Sequence, residues 1–255
     1  MSARGSVQDP LREPLSARDR RLARADKRER EPSVAREAIL NAAEEIFARD
    51  GFDGARVDAI ADGSGYNKAL IFHYFGDKLG LYREIVCMRR DESELQRTRM
   101  ILDAAGGPDA PLTASHVRAF IETIVRWHFD HLRSHPQLQR ILAWEAADGW
   151  GTLIEAKRGG GGQSCPLWVG PIIEFIKRAQ VAGLVRQEID PYMAMAHVKS
   201  MVLIHMLSVP NYESMFGGVD FSSPAALEHA REQLVSFAVH ALMTPTAAIV
   251  AGAPS

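Results

Sequence analysis

One stretch restricts the fold of this chain more than any other: Val-Asp-Ala-Ile-Ala-Asp-Gly-Ser-Gly-Tyr-Asn-Lys-Ala-Leu-Ile-Phe-His-Tyr-Phe at positions 57–75. It reads as two short helices, about 57–64 and 68–75, joined by a tight turn. Helices that cross steeply over a short turn leave little freedom in where small and apolar residues fall. Ile60, Tyr66, Ile71 and Tyr74 are the expected buried or half-buried contacts, and Ala61 is small where the second helix presses on the first. Gly65 sits where the turn needs positive φ, which a side chain would penalise. Asn67 is a good N-cap for the helix that follows. Gly63, inside the first helix, costs roughly 1 kcal/mol against alanine, and the sequence offers no reason for it.

The flanks continue the helical pattern. Ile39, Ala43, Ile46 and Phe47 recur at helical spacing over 33–50, with Ser33 as a cap and Gly51 as a stop. Asp77 can cap a helix carrying Leu79, Tyr82, Ile85 and Val86, which fades near Ala104 ahead of the Gly106-Gly107-Pro108 loop. Val117, Phe120, Ile121, Ile124, Val125, His128 and Leu132 line one face of a long helix that ends before His135-Pro136. A helix with Leu138, Ile141, Leu142 and Trp144 gives way near Asp148-Gly149. The glycines at 159–162 make a flexible connection. Further helices are expected over 168–182, 191–209 and 224–243. No strand-like alternation appears, so the expected class is all-α.

Residues 1–32 hold prolines, many charges and few large apolar side chains, so they are expected to be a disordered basic arm. Arg18, Arg20, Arg21, Arg24, Lys27, Arg28 and Arg30 could follow DNA phosphates or enter a minor groove, or form a solvated tail. The start has no apolar h-region, and no apolar run approaches the ~20 residues of a membrane span. An apolar content of 46% excludes global disorder. Cys87 and Cys165 make no disulfide framework and suit a reducing cytoplasm. The net charge of −2 decides nothing, because a local basic surface is what binds nucleic acid.

Arg36-Glu-Ala-Ile-Leu-Asn-Ala-Ala-Glu-Glu-Ile-Phe-Ala-Arg-Asp-Gly-Phe52 through Ile71-Phe-His-Tyr-Phe-Gly-Asp-Lys-Leu-Gly-Leu-Tyr82 resembles the TetR/AcrR family of bacterial transcriptional regulators. The resemblance implies a helix-turn-helix DNA-binding domain over 33–80, a helical effector-binding and dimerisation domain over 81–245, and a disordered tail over 246–255. It places base-reading residues at Lys68, Ala69 and Phe72, where lysine can donate to guanine and the other two can touch a thymine methyl. It places phosphate contacts at His73, Tyr74 and Lys78. Phe72 stands where the family usually has tyrosine, so a hydroxyl contact is lost. Leu70 replaces a small hydroxyl residue. Arg56 replaces a threonine that caps the first short helix, forfeiting the cap while keeping reach to a phosphate.

The same resemblance implies an effector pocket in the middle helices, and Trp127, His128, His131, Trp144, Trp168, Phe175 and Met201 are its candidate lining. Such a lining suits a small, largely apolar ligand held by one or two hydrogen bonds. Plain hydrophobic core is the competing reading for each residue. Met193, Met195, Val198, Met201, Val202 and His205, with Leu234, Val235, Phe237, Ala238, Ala241 and Leu242, give apolar stripes for a bundle across a twofold axis. His128 and His131 have no third ligand at metal-binding spacing, and no nucleophile motif or phosphate loop is visible, so no metal, cofactor or enzymatic activity is expected. The expected function is a cytoplasmic, nucleoid-associated homodimeric repressor. It would bind a palindromic double-stranded operator and be released by the effector. Alternatives are a ligand-independent regulator and an all-helical enzyme or carrier.

Overall fold

A computed structural model describes residues 17–88, 98, 99, 102, 111–159, 169–218 and 220–247. The described residues are helical apart from turns and one isolated bridge between Val185 and Met243. α1 spans Ala17–Gly54, α2 Val57–Ser64, α3 Lys68–Phe75 and α4 Lys78–Arg83, which runs into a π-helical turn at Glu84–Met88. After them come α5 Ala114–Ser134, α6 Pro136–Ala147, α7 Gly151–Arg158, α8 Val169–Val181, α9 Pro191–Met215 and α10 Pro224–Leu242.

Local chemistry sets most boundaries. Gly51 takes φ 69° and breaks α1 where the regular helix was expected to stop. Gly65 ends α2 in the left-handed region at φ 75°. Asn67 Oδ1 accepts from Leu70 N at 2.9 Å, and Asp77 Oδ1 accepts from Gly80 N at 2.6 Å. Thr113, Asp190 and Ser223 cap α5, α9 and α10 in the same way.

Four expectations are corrected. Residues 17–32, read as a structureless arm, form the first turns of α1. The alanines, arginines and glutamates there, with Lys27, are strong helix formers, and they outweigh Pro32. α7 was not anticipated: Gly149 and Trp150 both adopt positive φ, at 72° and 66°, and redirect the chain into a new helix. α9 runs beyond 209, through Pro210, to Met215. Ring contacts of Tyr212 with His205, Phe216 and Phe221 hold its last turns. α9 is also long and apolar enough to cross a membrane, against the expectation that no stretch is; its Ala194, Val202 and Met206 are buried in the protein core. The arm before 17, the fade near 104, the loop at 106–108, the glycines at 160–162, Cys165, Trp168 and the tail from 248 lie outside the described residues. The chain is still packed at Ala247, inside the segment expected to be a tail.

Two hydrophobic cores organise the molecule. The N-terminal core gathers Ile39, Leu40, Phe47, Ile60, Ile71, Leu81 and Tyr82. Burial of each large apolar side chain contributes roughly 1.5–3 kcal/mol. This core also takes in Ile141 of α6 and Ala156 of α7. The C-terminal core joins α5, α8, α9 and α10 around Phe120, Phe129, Phe175, Val202 and Val239. α6 lies between the two, contributing Leu138 and Leu142 to the C-terminal core and Ile141 to the N-terminal one.

Candidate nucleic-acid interface and effector cavity

The packing of α2 and α3 decides which side of α3 faces out. Ile60 and Ile71 are fully buried, and Tyr66, Tyr74 and Ala61 are half-buried, which fixes one face of α3 inward. Turned away from that face, Lys68, Ala69 and His73 are exposed, and Phe72 is 43% exposed despite being a large apolar residue. Arg56 stands beside them at the start of α2, with no side-chain cap bond to the helix. Arg56, Lys68, Ala69, Phe72 and His73 are thus exposed together, whereas Tyr74 and Lys78, expected with them, are half-buried.

Two of these cations have partners within the protein. Lys68 Nζ lies 2.5 Å from Asp58 Oδ1 on α2, and Arg56 lies 4.0 Å from the same carboxylate. Exposed pairs of this kind contribute about 0–1 kcal/mol, so a duplex can displace them at little cost. Lys78 is half-buried: its Nζ sits 4.6 Å above the Phe52 ring and donates to Asp53 O at 3.4 Å. Burial lowers its pKa, opposed by the Asp53 charge. Lys78 therefore ties the start of α4 to the end of α1, a stitch that spacing in the sequence does not reveal.

The C-terminal core encloses a cavity of about 60 Å³. Of the candidate lining residues, Trp127, His128 and Phe175 do line it, and Phe175 stacks on Phe120 with ring centroids 4.0 Å apart. Trp144 does not. It packs on Gly51, and its Nε1 donates to Ala48 O at 3.3 Å, because α6 turns that face toward α1. His131 stacks between Trp127 and His135, with centroids at 5.2 and 4.4 Å, away from the cavity wall. Met201 packs against the C-terminal core without reaching the cavity. Sequence reasoning missed Thr98 and Lys199 as lining residues. It did identify the stripe of α5 to which Phe120, Ile124 and Val125 belong, but a stripe does not distinguish cavity wall from filled core.

A salt-linked seam joins α5 to α10. Arg126 pairs with Glu122 at 2.9 Å and with Glu232 at 2.8 Å, and Arg231 pairs with Asp130 at 2.9 Å. The hydrogen bond from Arg126 holds the Glu232 carboxyl below its ordinary value.

An exposed helix-turn-helix on an all-helical body with its own second core defines the class of this protein. The sequence model described as bacterial regulatory proteins, tetR family, matches residues 39–85, and that described as Tetracyclin repressor-like, C-terminal domain, matches residues 118–238. These two matches take in more than half of the chain, which belongs to the TetR family. It is 31% identical over 119 residues to the HTH-type transcriptional repressor SCO4008 of Streptomyces coelicolor, covering 47% of this chain and 53% of that protein. It is 30% identical over 140 residues to the HTH-type transcriptional regulator RutR of Escherichia coli, covering 52% of this chain and 58% of that protein. The matched stretch thus spans little more than half the length of these relatives. Among solved structures, the Streptomyces coelicolor protein SCO4942 shares the fold at TM-score 0.54 and 22% identity, over 82% of this chain and 98% of that one. HlyIIR, a hemolysin II transcriptional regulator, does so at TM-score 0.54 and 16% identity, over 84% and 99%.

Proposed function

We propose that this chain is a sequence-specific DNA-binding transcription regulator rather than an enzyme: a cytoplasmic homodimeric repressor released from its operator by a small, largely apolar ligand. The observation that carries the reading is the open face of α3, where Lys68, Ala69, Phe72 and His73 project from a helix anchored on its other side by Ile71. In this reading Lys68, Ala69 and Phe72 meet base edges in the major groove. Arg56, His73, Tyr74 and Lys78 hold phosphates, which supply affinity and register without sequence choice.

One helix-turn-helix buries too little surface for tight selective binding, so two copies are required. The outward sides of α9 and α10 suit a twofold contact, since Met193, Ile204 and Phe237 are 48%, 57% and 72% exposed. The cavity supports an apolar effector, with Thr98, His128 and Lys199 as its polar groups. At about 60 Å³ it is far below the roughly 300–1,000 Å³ of pockets that hold drug-sized ligands. Such a ligand must therefore part the helices, which gives a physical cause for effector-driven release: it binds the opened state and shifts the population toward it.

Selection of bound fragments from the source genome tests the proposal. The expected result is enrichment of short palindromic sites, with affinity falling steeply as salt rises. Uniform weak recovery of all fragments, with no shared sequence, would count against it.

A further inference from the structure

Between the two cores lies a buried carboxylate that neither DNA contact nor the cavity uses. Glu145, near the end of α6, is 4% exposed. Tyr82 of α4, itself 2% exposed, donates its hydroxyl to Glu145 Oε1. Leu153 N, in the first turn of α7, donates to Oε2 at 3.0 Å. One carboxylate thus joins the helix that follows the helix-turn-helix to the start of a helix in the effector-binding body. The backbone holds it there as well: Trp150 N donates to Glu145 O at 2.7 Å, with Trp150 forced to φ 66°. Among the described residues it is the only one outside glycine with positive φ, a conformation that persists only where surrounding contacts impose it.

The placement of this corner gives the carboxylate its consequence. Trp150 packs against the C-terminal core that holds the cavity, whereas Leu153 and Ala156 belong to the N-terminal core. Arg83 strengthens the junction by donating from Nε to Ala156 O at 2.8 Å. Apolar packing tolerates sliding of one helix on another, but a buried carboxylate stripped of its donors is strongly penalised. The α4–α6–α7 junction is therefore held in one register by its polar contacts.

We infer that Glu145 is a positioning residue that fixes the angle of the helix-turn-helix on the effector-binding body. This rests on the regulator reading above.

The test uses the full chain with Tyr82→Phe, Glu145→Met (similar length, no acceptor) and both together, on an operator fragment recovered by genomic selection and on a scrambled duplex. Each single variant should weaken operator binding about tenfold and leave scrambled-duplex affinity unchanged. The double variant should be no worse than the poorer single one, because both remove one interaction. Spin labels at exposed Asp62→Cys, with Cys87 and Cys165 replaced by serine, should report a shifted or broadened distance across the dimer. Operator affinity within about twofold of the parent in folded Tyr82→Phe, with the label distance unmoved, overturns the positioning role. So does a parallel loss on both duplexes. A parent chain without salt-dependent duplex affinity overturns the regulator reading itself, so the two failures are distinguishable.

Discussion

Single side chains in this protein divide by what they touch. Lys68 is exposed and paired with Asp58, whereas Lys78 is half-buried against Phe52 and the end of α1. Replacing Lys68 with alanine is expected to lower affinity for the operator by about 1–3 kcal/mol and to relax choice at one base pair. Replacing Lys78 should weaken all duplexes alike and reduce the slope of log affinity against log salt by about one. Titrating both variants on specific and scrambled duplexes at several salt concentrations checks the contrast, and interchanged behaviour would refute the assignment. Two glycines offer a second contrast. Gly63 is exposed within α2, and an added Cβ would meet Ala42 Cβ at an ordinary 3.5 Å. Gly63→Ala should therefore raise the melting temperature, by about 1 kcal/mol of stability. Gly65→Ala, at φ 75°, should lower it by about 1–2 kcal/mol, although nothing lies within 4 Å of the added atom. A thermal melt giving both changes the same sign would show that backbone conformation does not govern this turn.

At the scale of elements, α5 and α10 are joined by apolar contacts and by the Arg126–Glu232 and Arg231–Asp130 pairs. Glu232 has its carboxyl pKa depressed by the hydrogen bond from Arg126, relative to an ordinary 4.5. A depressed acid contributes stability that is fully present above its unfolded value and is lost as pH falls through the folded one. Arg126→Ala should therefore lower the melting temperature by roughly 2–4 °C near neutrality. The difference from the parent should shrink as pH drops below about 4.5, and also at high salt. A gap that persists unchanged in acid would assign the arginine a packing role through its stem. The same scale explains α7. Asp148-Gly149 reads as a helix end in the sequence, and it is one, but the left-handed pair at Gly149 and Trp150 starts a new helix at once.

For the whole molecule, α9 and α10 present large apolar side chains to solvent, Ile204 at 57% and Phe237 at 72% exposure. Introducing glutamate at both Ile204 and Phe237 should yield a monomer by light scattering with a melting temperature close to the parent's, because neither side chain is buried within the chain. Operator affinity should fall by at least about tenfold while scrambled-duplex affinity changes much less, since a half-site is all a monomer can read. A variant that remains dimeric places the twofold contact elsewhere.

What the residues alone determined is local and periodic: the bounds of α2 and α3, the caps at Asn67 and Asp77, and the positive φ at Gly65. These follow from backbone sterics and hydrogen bonds within a few residues, which chain order encodes directly. Only tertiary packing decided that Trp144 docks on Gly51 instead of lining the cavity, that Thr98 and Lys199 reach the cavity, and that Glu145 bridges Tyr82 and Leu153. Those outcomes depend on how one helix is rotated and seated against another far away in the chain. Periodicity identifies an apolar face but not the partner that face will meet.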